Sequence, residues 1–202
     1  MATLKRLEKR MNDVEDWMKE FDIGTDFEIK NVEGLASIIE IEENGKKRNL
    51  VDKGFGAGQI FAILFRTALT INEISDDNWQ KSEEAVNPLI LIEEPEANLH
   101  PALQSKLAEF FEDAYWTFGI RFIVETHSEY LLRASQILMK EWKTSFMNSE
   151  NILEDQEEPF GVYYFDKEEG PYKMHYREDG KFKNEFGPGF FDESSNLAFD
   201  IL

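Results

Sequence analysis

The apolar residues of this chain recur with two different periods, and each period predicts a different kind of element. Over residues 3–21 the apolar positions are spaced by three and four, which predicts an amphipathic helix with a coiled-coil-like seam. Its seam consists of Leu4, Leu7, Met11, Val14, Met18 and Phe21. The seam covers fewer than three heptads, which favours packing on the chain's own core over dimerisation. Between residues 27 and 51 the period falls to two. Asn44 followed by Gly45 interrupts this stretch, which predicts a small antiparallel sheet with a hairpin turn and a last strand reaching Val51.

Short apolar runs and helical periods alternate in the middle of the chain. An apolar helix is predicted from Ile60 onward, and four consecutive apolar residues at 89–92 predict a strand buried on both faces. A helix separates this strand from a second apolar run at 120–124, and a last helix, capped by Thr126 or Ser128, runs to residue 142. This order predicts two parallel strands that end at the same edge of one sheet.

The rest of the chain is less regular. Polar, acidic stretches at 72–87 and 143–159 predict exposed connections, and apolar runs at 160–165 and 172–176 predict two strands around a turn. The tail from residue 180 has no clear period. The predicted fold class is α/β, with parallel strands, flanking helices and a small antiparallel element. The predicted segments are a helix with a small sheet (1–51), an α/β lobe (52–145), and a hairpin with a C-terminal extension (146–202).

Composition and charge narrow the classes of partner. The 202 residues contain 22 Lys and Arg against 41 Asp and Glu, a net charge of −19. Such an acidic chain repels phosphate backbones, so direct nucleic-acid binding is not expected. No run approaches the ~20 apolar residues that a membrane helix needs. The absence of cysteine excludes disulfides and cysteine zinc sites, and the charged N-terminus does not resemble a signal peptide, so we expect a cytoplasmic protein.

Acidic residues directly follow the first buried strand. Glu93 and Glu94 come at its end, and Pro95, which lacks a backbone donor, ends the ladder before Glu96. Open α/β sheets bind ligands at the carboxyl ends of their strands. A carboxylate there can reach a hydrated Mg²⁺ or hold an attacking water molecule. The alternative is a strand that simply ends in a polar loop.

A glycine-rich segment precedes the apolar helix. Three glycines at alternate positions, 54, 56 and 58, would let a ligand approach the backbone, and the N-terminus of the following helix suits a phosphate. The segment is not a dinucleotide-binding fingerprint, because Gln59 occupies the place of its third glycine. A glycine-rich turn made for tight packing is the alternative.

Together these stretches resemble the C-terminal part of an ABC-type ATPase head, of the OLD-like and SMC-like AAA-annotated ATPases in prokaryotic defence and DNA repair. The resemblance spans residues 52–128 and implies a partial P-loop NTPase fold. Four motifs carry it in order. They are a signature motif at Phe55, Gly56, Ala57, Gly58 and Gln59, a Walker B motif at 90–94, a D-loop motif at 98–101, and a switch motif at 125–128.

The resemblance implies a role for each motif. Glu93 would hold Mg²⁺ through water, Glu94 would polarise the attacking water, and His127 would contact the γ-phosphate of ATP. The signature motif would reach the nucleotide of a second head in a head–head homodimer, and the D-loop motif with Asn98 would couple the two heads. Two residues depart from the pattern, because Gly56 replaces a serine and Glu93 replaces an aspartate.

A complete nucleotide site also needs a P-loop, G-x-x-x-x-G-K-[ST]. Gly-Lys occurs at 45–46 and 180–181, and neither pair is followed by Ser or Thr. The resemblance therefore implies a C-terminal piece that binds ATP and Mg²⁺ only with a P-loop lobe from the same or a partner chain, and that is inactive alone.

Two other functions remain open from the sequence. The first is a protein-interaction module without catalysis, which would use the acidic surface and the N-terminal helix. The second is a metal-dependent hydrolase, although no H-E-x-x-H spacing is present. Its ligands would be Glu93, Glu94, Glu96, His100 and His127.

Overall fold

The computed structural model describes residues 15–74, 87–147 and 158–193, together with Leu197 and Phe199. Residues 15–20 are helical, and the first four positions of the predicted N-terminal seam lie outside the described residues. The elements that follow are β1 (Asp26–Val32), β2 (Ala36–Glu43), β3 (Lys46–Asn49), a 3₁₀ turn (Leu50–Lys53), α1 (Phe55–Ile74), β4 (Leu89–Glu93), α2 (Pro101–Phe118), β5 (Arg121–Glu125), α3 (Glu129–Met147), β6 (Val162–Asp166) and β7 (Gly170–Met174). The chain divides into two compact units, Met1–His127 and Ser128–Leu202. This division falls inside the segment 52–145 that the sequence grouped together.

The antiparallel sheet of the first unit has the order β1-β2-β3. The predicted hairpin turn is confirmed, since Glu43 pairs with Lys46 and both intervening residues have positive φ, 52° at Asn44 and 72° at Gly45. The prediction that the last strand reaches Val51 is wrong. β3 ends at Asn49, whose side chain accepts a hydrogen bond from the Val51 amide at 3.1 Å and caps the 3₁₀ turn.

Helix α1 begins five residues earlier than predicted. The glycine-rich segment was expected to be a loop, but residues 55–59 form the first turns of the helix, and Gly54 just before them has a φ of 92°. The buried face of α1 includes Ile60, Phe61 and Leu64. Phe27 of β1 packs edge-on against Phe61, with ring centroids 5.1 Å apart, so the small sheet lies on this helix.

Strands β4 and β5 form a parallel pair, as predicted, and α2 is the crossover between them. α2 packs on one face of this pair, where the rings of Phe111 and Phe122 lie 4.8 Å apart. The N-terminal helical residues pack on α2 in turn, because Trp17 Nε1 donates to Asp113 Oδ2 at 2.8 Å. Met18 of the predicted seam is buried, in agreement with packing on the chain's own core. The α/β fold class is thus confirmed.

On the face of the parallel pair opposite α2, the prediction of burial is wrong. The run at 89–92 was expected to be buried on both faces, yet Leu89, Leu91 and Ile123 are 50%, 71% and 56% exposed. Their side chains alternate with Ile90 and Phe122, which face α2. Within the part of the chain that the structure describes, the sequence therefore places apolar residues on an open sheet face, where at least half of each side chain is exposed.

The second unit joins α3 to the β6–β7 hairpin and the tail. α3 extends to Met147, five residues beyond its predicted end, and Ser128 caps it by accepting from the Leu131 amide at 3.1 Å. The predicted hairpin is present, with Val162 paired to Met174. Arg133 of α3 lies 4.0 Å from the ring centroid of Phe191, so the aperiodic tail is held by aromatic contacts.

A buried tyrosine also joins the C-terminal segment of the second unit to α3. The Tyr176 hydroxyl lies 2.8 Å from Ser135 Oγ, which itself donates to the Leu132 carbonyl. Since a serine hydroxyl has one proton, Tyr176 is the donor. Burial raises the pKa of Tyr176 to about 12, which keeps this hydroxyl protonated at neutral pH. None of the described helices is long and apolar enough to cross a membrane.

Candidate functional site

The loop after β4 holds Glu94 by its main chain. The Glu94 amide donates to the Glu125 carbonyl at 2.8 Å and extends the parallel ladder by one residue. The Glu94 carbonyl accepts from the Ala97 amide at 3.0 Å and from Gln59 Nε2 at 2.6 Å. Its φ is 46°, a left-handed conformation that is rare for residues with side chains and costs roughly 1–3 kcal/mol. These bonds fix the point from which the exposed carboxylate projects.

His127 lies beside this carboxylate. His127 Nε2 is 3.9 Å from Glu94 Oε1, and the side chains are 75% and 58% exposed. The distance is longer than a hydrogen bond. Because both groups project into solvent at the carboxyl edge of the parallel pair, one bound molecule can contact both. Glu93, at the last position of β4, is also exposed at this edge.

Glu96 joins the loop after β4 to the loop after β5. Its side chain is 8% exposed, and its Oε1 accepts a hydrogen bond from the His127 amide at 2.6 Å. Sequence reasoning placed Glu96 in the acidic cluster after the strand and among the ligands of the alternative metal site. The tie to His127 was missed, because it joins two loops 31 residues apart and no period encodes it.

The predicted signature residues lie next to the same loop. Phe55 is 87% exposed at the start of α1. A Cβ atom at Gly56 would lie 2.6 Å from the Asn98 carbonyl oxygen, so this glycine allows α1 to approach the loop after β4. Asn98 is itself exposed and has a φ of 60°. Gln59 reaches Glu94 by the hydrogen bond given above. Residues 55–59 and 94–98 are thus in direct contact within one unit.

The carboxylates of this edge suit Mg²⁺ better than they suit a protein-only metal cage. Among the described residues, no group of three or more His, Asp and Glu side chains could hold a metal ion. Mg²⁺ is usually held by one or two carboxylates together with substrate phosphates and water. The exposed Glu93 fits that demand. Of the other candidate ligands, Glu96 is buried and His100 caps α2, its Nδ1 accepting from the Ala102 amide at 3.3 Å.

The packing at Gly56 leads to a prediction about the serine that the ABC pattern would place there. Gly56→Ser is expected to destabilise the chain by about 1–3 kcal/mol, because its Cβ would overlap the Asn98 carbonyl and contact Leu99 at 3.0 Å. The matched variant is Gly58→Ala, where nothing lies within 4 Å of an added Cβ. This change should stabilise the helix by about 0.5–1 kcal/mol. Urea unfolding of both variants is the measurement, and equal stability of Gly56→Ser and wild type would contradict this packing.

Comparison with known proteins places the chain in a family. The family described as "AAA ATPase domain" matches residues 2–132. Since this match covers more than half of the 202 residues, the chain belongs to the AAA ATPase domain family.

Other comparisons add little. No curated protein matches the chain. A solved structure from a study of ATP-driven dimerization and DNA-stimulated activation of SMC ATPases aligns at 11% identity over 93% of this chain and 96% of that one. Its TM-score of 0.43 is too low to support an argument.

Proposed function

We propose that this chain is the part of an ABC-type ATPase head, of the OLD-like and SMC-like kind, that supplies the Walker B, signature, D-loop and switch motifs for ATP hydrolysis. The observation that carries the proposal is the pairing of Glu94 and His127, 3.9 Å apart at the carboxyl edge of a parallel sheet. This edge is where open α/β sheets bind ligands. Membership of the AAA ATPase domain family supports a nucleotide as that ligand.

Each residue of the edge has a task in this proposal. Glu94 orients the attacking water and takes its proton, which an exposed carboxylate on a fixed main chain can do. His127 contacts the γ-phosphate beside it. Glu93 would hold Mg²⁺, which neutralises phosphate charge when it is bound. The N-terminal turn of α1 presents backbone N–H groups to the phosphates of a second head, with Asn98 at the contact.

The open face of the parallel pair supports a separate P-loop lobe. Parallel sheets are normally covered on both faces. Here Leu89, Leu91 and Ile123 lie exposed on the face opposite α2. The sequence contains no P-loop, so a lobe that both carries the P-loop and packs on this face would supply the two missing parts together. That lobe belongs to the same or to a partner chain.

The head–head dimer of the proposal would use the start of α1. Phe55 at this point is 87% exposed, and Val51, four residues earlier, is 81% exposed. In this proposal, two large exposed apolar side chains only four residues apart in the sequence mark an interaction surface. A second head that covers them would bring its nucleotide to the N-terminus of α1. The resemblance to OLD-like and SMC-like ATPases implies that such a cycle would serve prokaryotic defence or DNA repair.

Calorimetry of Mg-ATP tests the proposal. The chain alone is titrated with Mg-ATP, and then again in the presence of a separately expressed P-loop lobe. We expect binding only in the second titration, because the P-loop is what cradles the β- and γ-phosphates. Binding to the chain alone would contradict the need for a second lobe. If neither titration shows binding, a non-catalytic interaction module becomes the better account.

A further inference from the structure

Among the residues that the structure describes, Glu96 is the one buried acid, and it lies beside the exposed carboxylates of the candidate site. Its Oε1 accepts from the His127 amide at 2.6 Å. Its main-chain carbonyl accepts from the Leu99 amide at 3.0 Å, which keeps the side chain at the start of a tight turn. A buried side chain held in a turn has few accessible rotamers, so it can define the position of the group it binds.

The bond from Glu96 goes to the main chain of His127, not to its ring. The ends of β4 and β5 are already joined by a hydrogen bond, which the Glu94 amide donates to the Glu125 carbonyl at 2.8 Å. The Glu96 bond adds a second connection two residues further along each loop. Two connections fix both the position and the direction of the His127 backbone, and therefore the point from which its imidazole projects toward Glu94.

From these contacts we propose that Glu96 is a positioning residue, which holds the His127 main chain so that its imidazole stays beside the Glu94 carboxylate. This role rests on the ATPase function proposed above. Because the side chain of Glu96 is buried and its Oε1 is bound to the His127 amide, in this role it acts through His127.

Because the second carboxylate oxygen of Glu96 has a different environment from the first, substitutions can test the shape of the side chain separately from its acidity. Within the part of the chain that the structure describes, Oε2 is buried and has no hydrogen-bond partner. Glu96→Gln can therefore keep the acceptor oxygen on His127 and place its NH₂ group where no bond is lost. Glu96→Asp keeps the carboxyl group but is one methylene shorter, so it cannot span the distance to the His127 amide.

The first measurement tests the hydrogen bond between the His127 amide and the Glu96 side chain. In the ¹⁵N-labelled full chain, hydrogen exchange of the His127 amide is expected to be about tenfold or more faster in Glu96→Asp and Glu96→Ala than in wild type, because the bond is lost. Glu96→Gln should retain the wild-type protection. Glu109→Ala, on the exposed side of α2, is the control for removal of an acidic side chain. Unchanged protection in Glu96→Asp would overturn the proposal.

The second measurement tests how loss of this hydrogen bond changes ATP hydrolysis. In the head assembled with its P-loop lobe, kcat for ATP is expected to fall about 10²-fold in Glu96→Asp, since small misplacements of a contacting group have effects of this size, while KM changes little. The conservative Glu96→Gln should restore most of kcat. If Glu96→Asp is active and Glu96→Gln is not, Glu96 acts as an acid and the positioning role is wrong. A protected amide in a wild-type head without ATPase activity would instead refute the proposed function alone.

Discussion

Glu94→Gln is expected to lower ATP turnover of the assembled head by at least ~10²-fold while ATP remains bound. The amide has the size of the carboxylate but cannot take a proton from the attacking water. The main chain at this position should not move, because it is held by bonds to Glu125, Ala97 and Gln59 that do not involve the Glu94 side chain. Single-turnover hydrolysis, with ATP retention measured by filter binding, checks both parts of the prediction.

The control for this experiment is Glu109→Gln, which makes the same chemical change on the exposed side of α2. Its turnover should equal that of the wild type. If Glu94→Gln hydrolyses ATP at the wild-type rate, Glu94 is not the base and the pairing with His127 has another purpose. If Glu94→Gln fails to bind ATP, the carboxylate contributes to binding instead of to the chemical step.

Leu91→Glu is expected to weaken association with the P-loop lobe by at least ~10²-fold. Full burial of a leucine contributes about 1.5–3 kcal/mol, and a carboxylate placed in an apolar contact costs more than the contact gains. A loss of about 3 kcal/mol corresponds to a factor above one hundred in affinity. The isolated chain should keep its stability within about 0.5 kcal/mol, because Leu91 is 71% exposed in it. Calorimetric titration of lobe into chain gives the affinity.

Leu35→Glu is the matched control for this substitution. Leu35 is 88% exposed in the turn between β1 and β2, which belong to a different sheet from β4 and Leu91. We expect it to leave the affinity for the lobe unchanged. Equal affinities of the Leu91 and Leu35 variants would mean that the lobe, if it binds, does not cover this face.

The sequence predicted those parts of the fold that depend on local chemistry. Asn44 and Gly45 predicted the hairpin turn because few other residues adopt positive φ in succession. The alternation of apolar runs and helical periods predicted the parallel pair. That pair in turn predicted a shared edge for Glu94 and His127. The resemblance to ABC-type heads added roles for these residues, which the experiments above are designed to test.

Other parts depend on contacts that no local pattern encodes. A run of four apolar residues predicts burial, but it does not say which segment covers each face, so the exposure of Leu91 was missed. The glycines at 56 and 58 suggested a loop by propensity, yet both lie in the first turns of α1, where Gly56 packs against the Asn98 carbonyl. The link between Glu96 and His127 joins two loops through a single hydrogen bond.

The left-handed backbone of Glu94 has a consequence for anyone who engineers this chain. Glycine adopts that conformation without strain, so a search that scores thermal stability alone would replace the glutamate and discard the carboxylate. Under the proposed function, the resulting protein would fold but would lack the base for ATP hydrolysis. Libraries made from this chain should therefore hold position 94 fixed, and a rise in melting temperature should never be accepted there as an improvement.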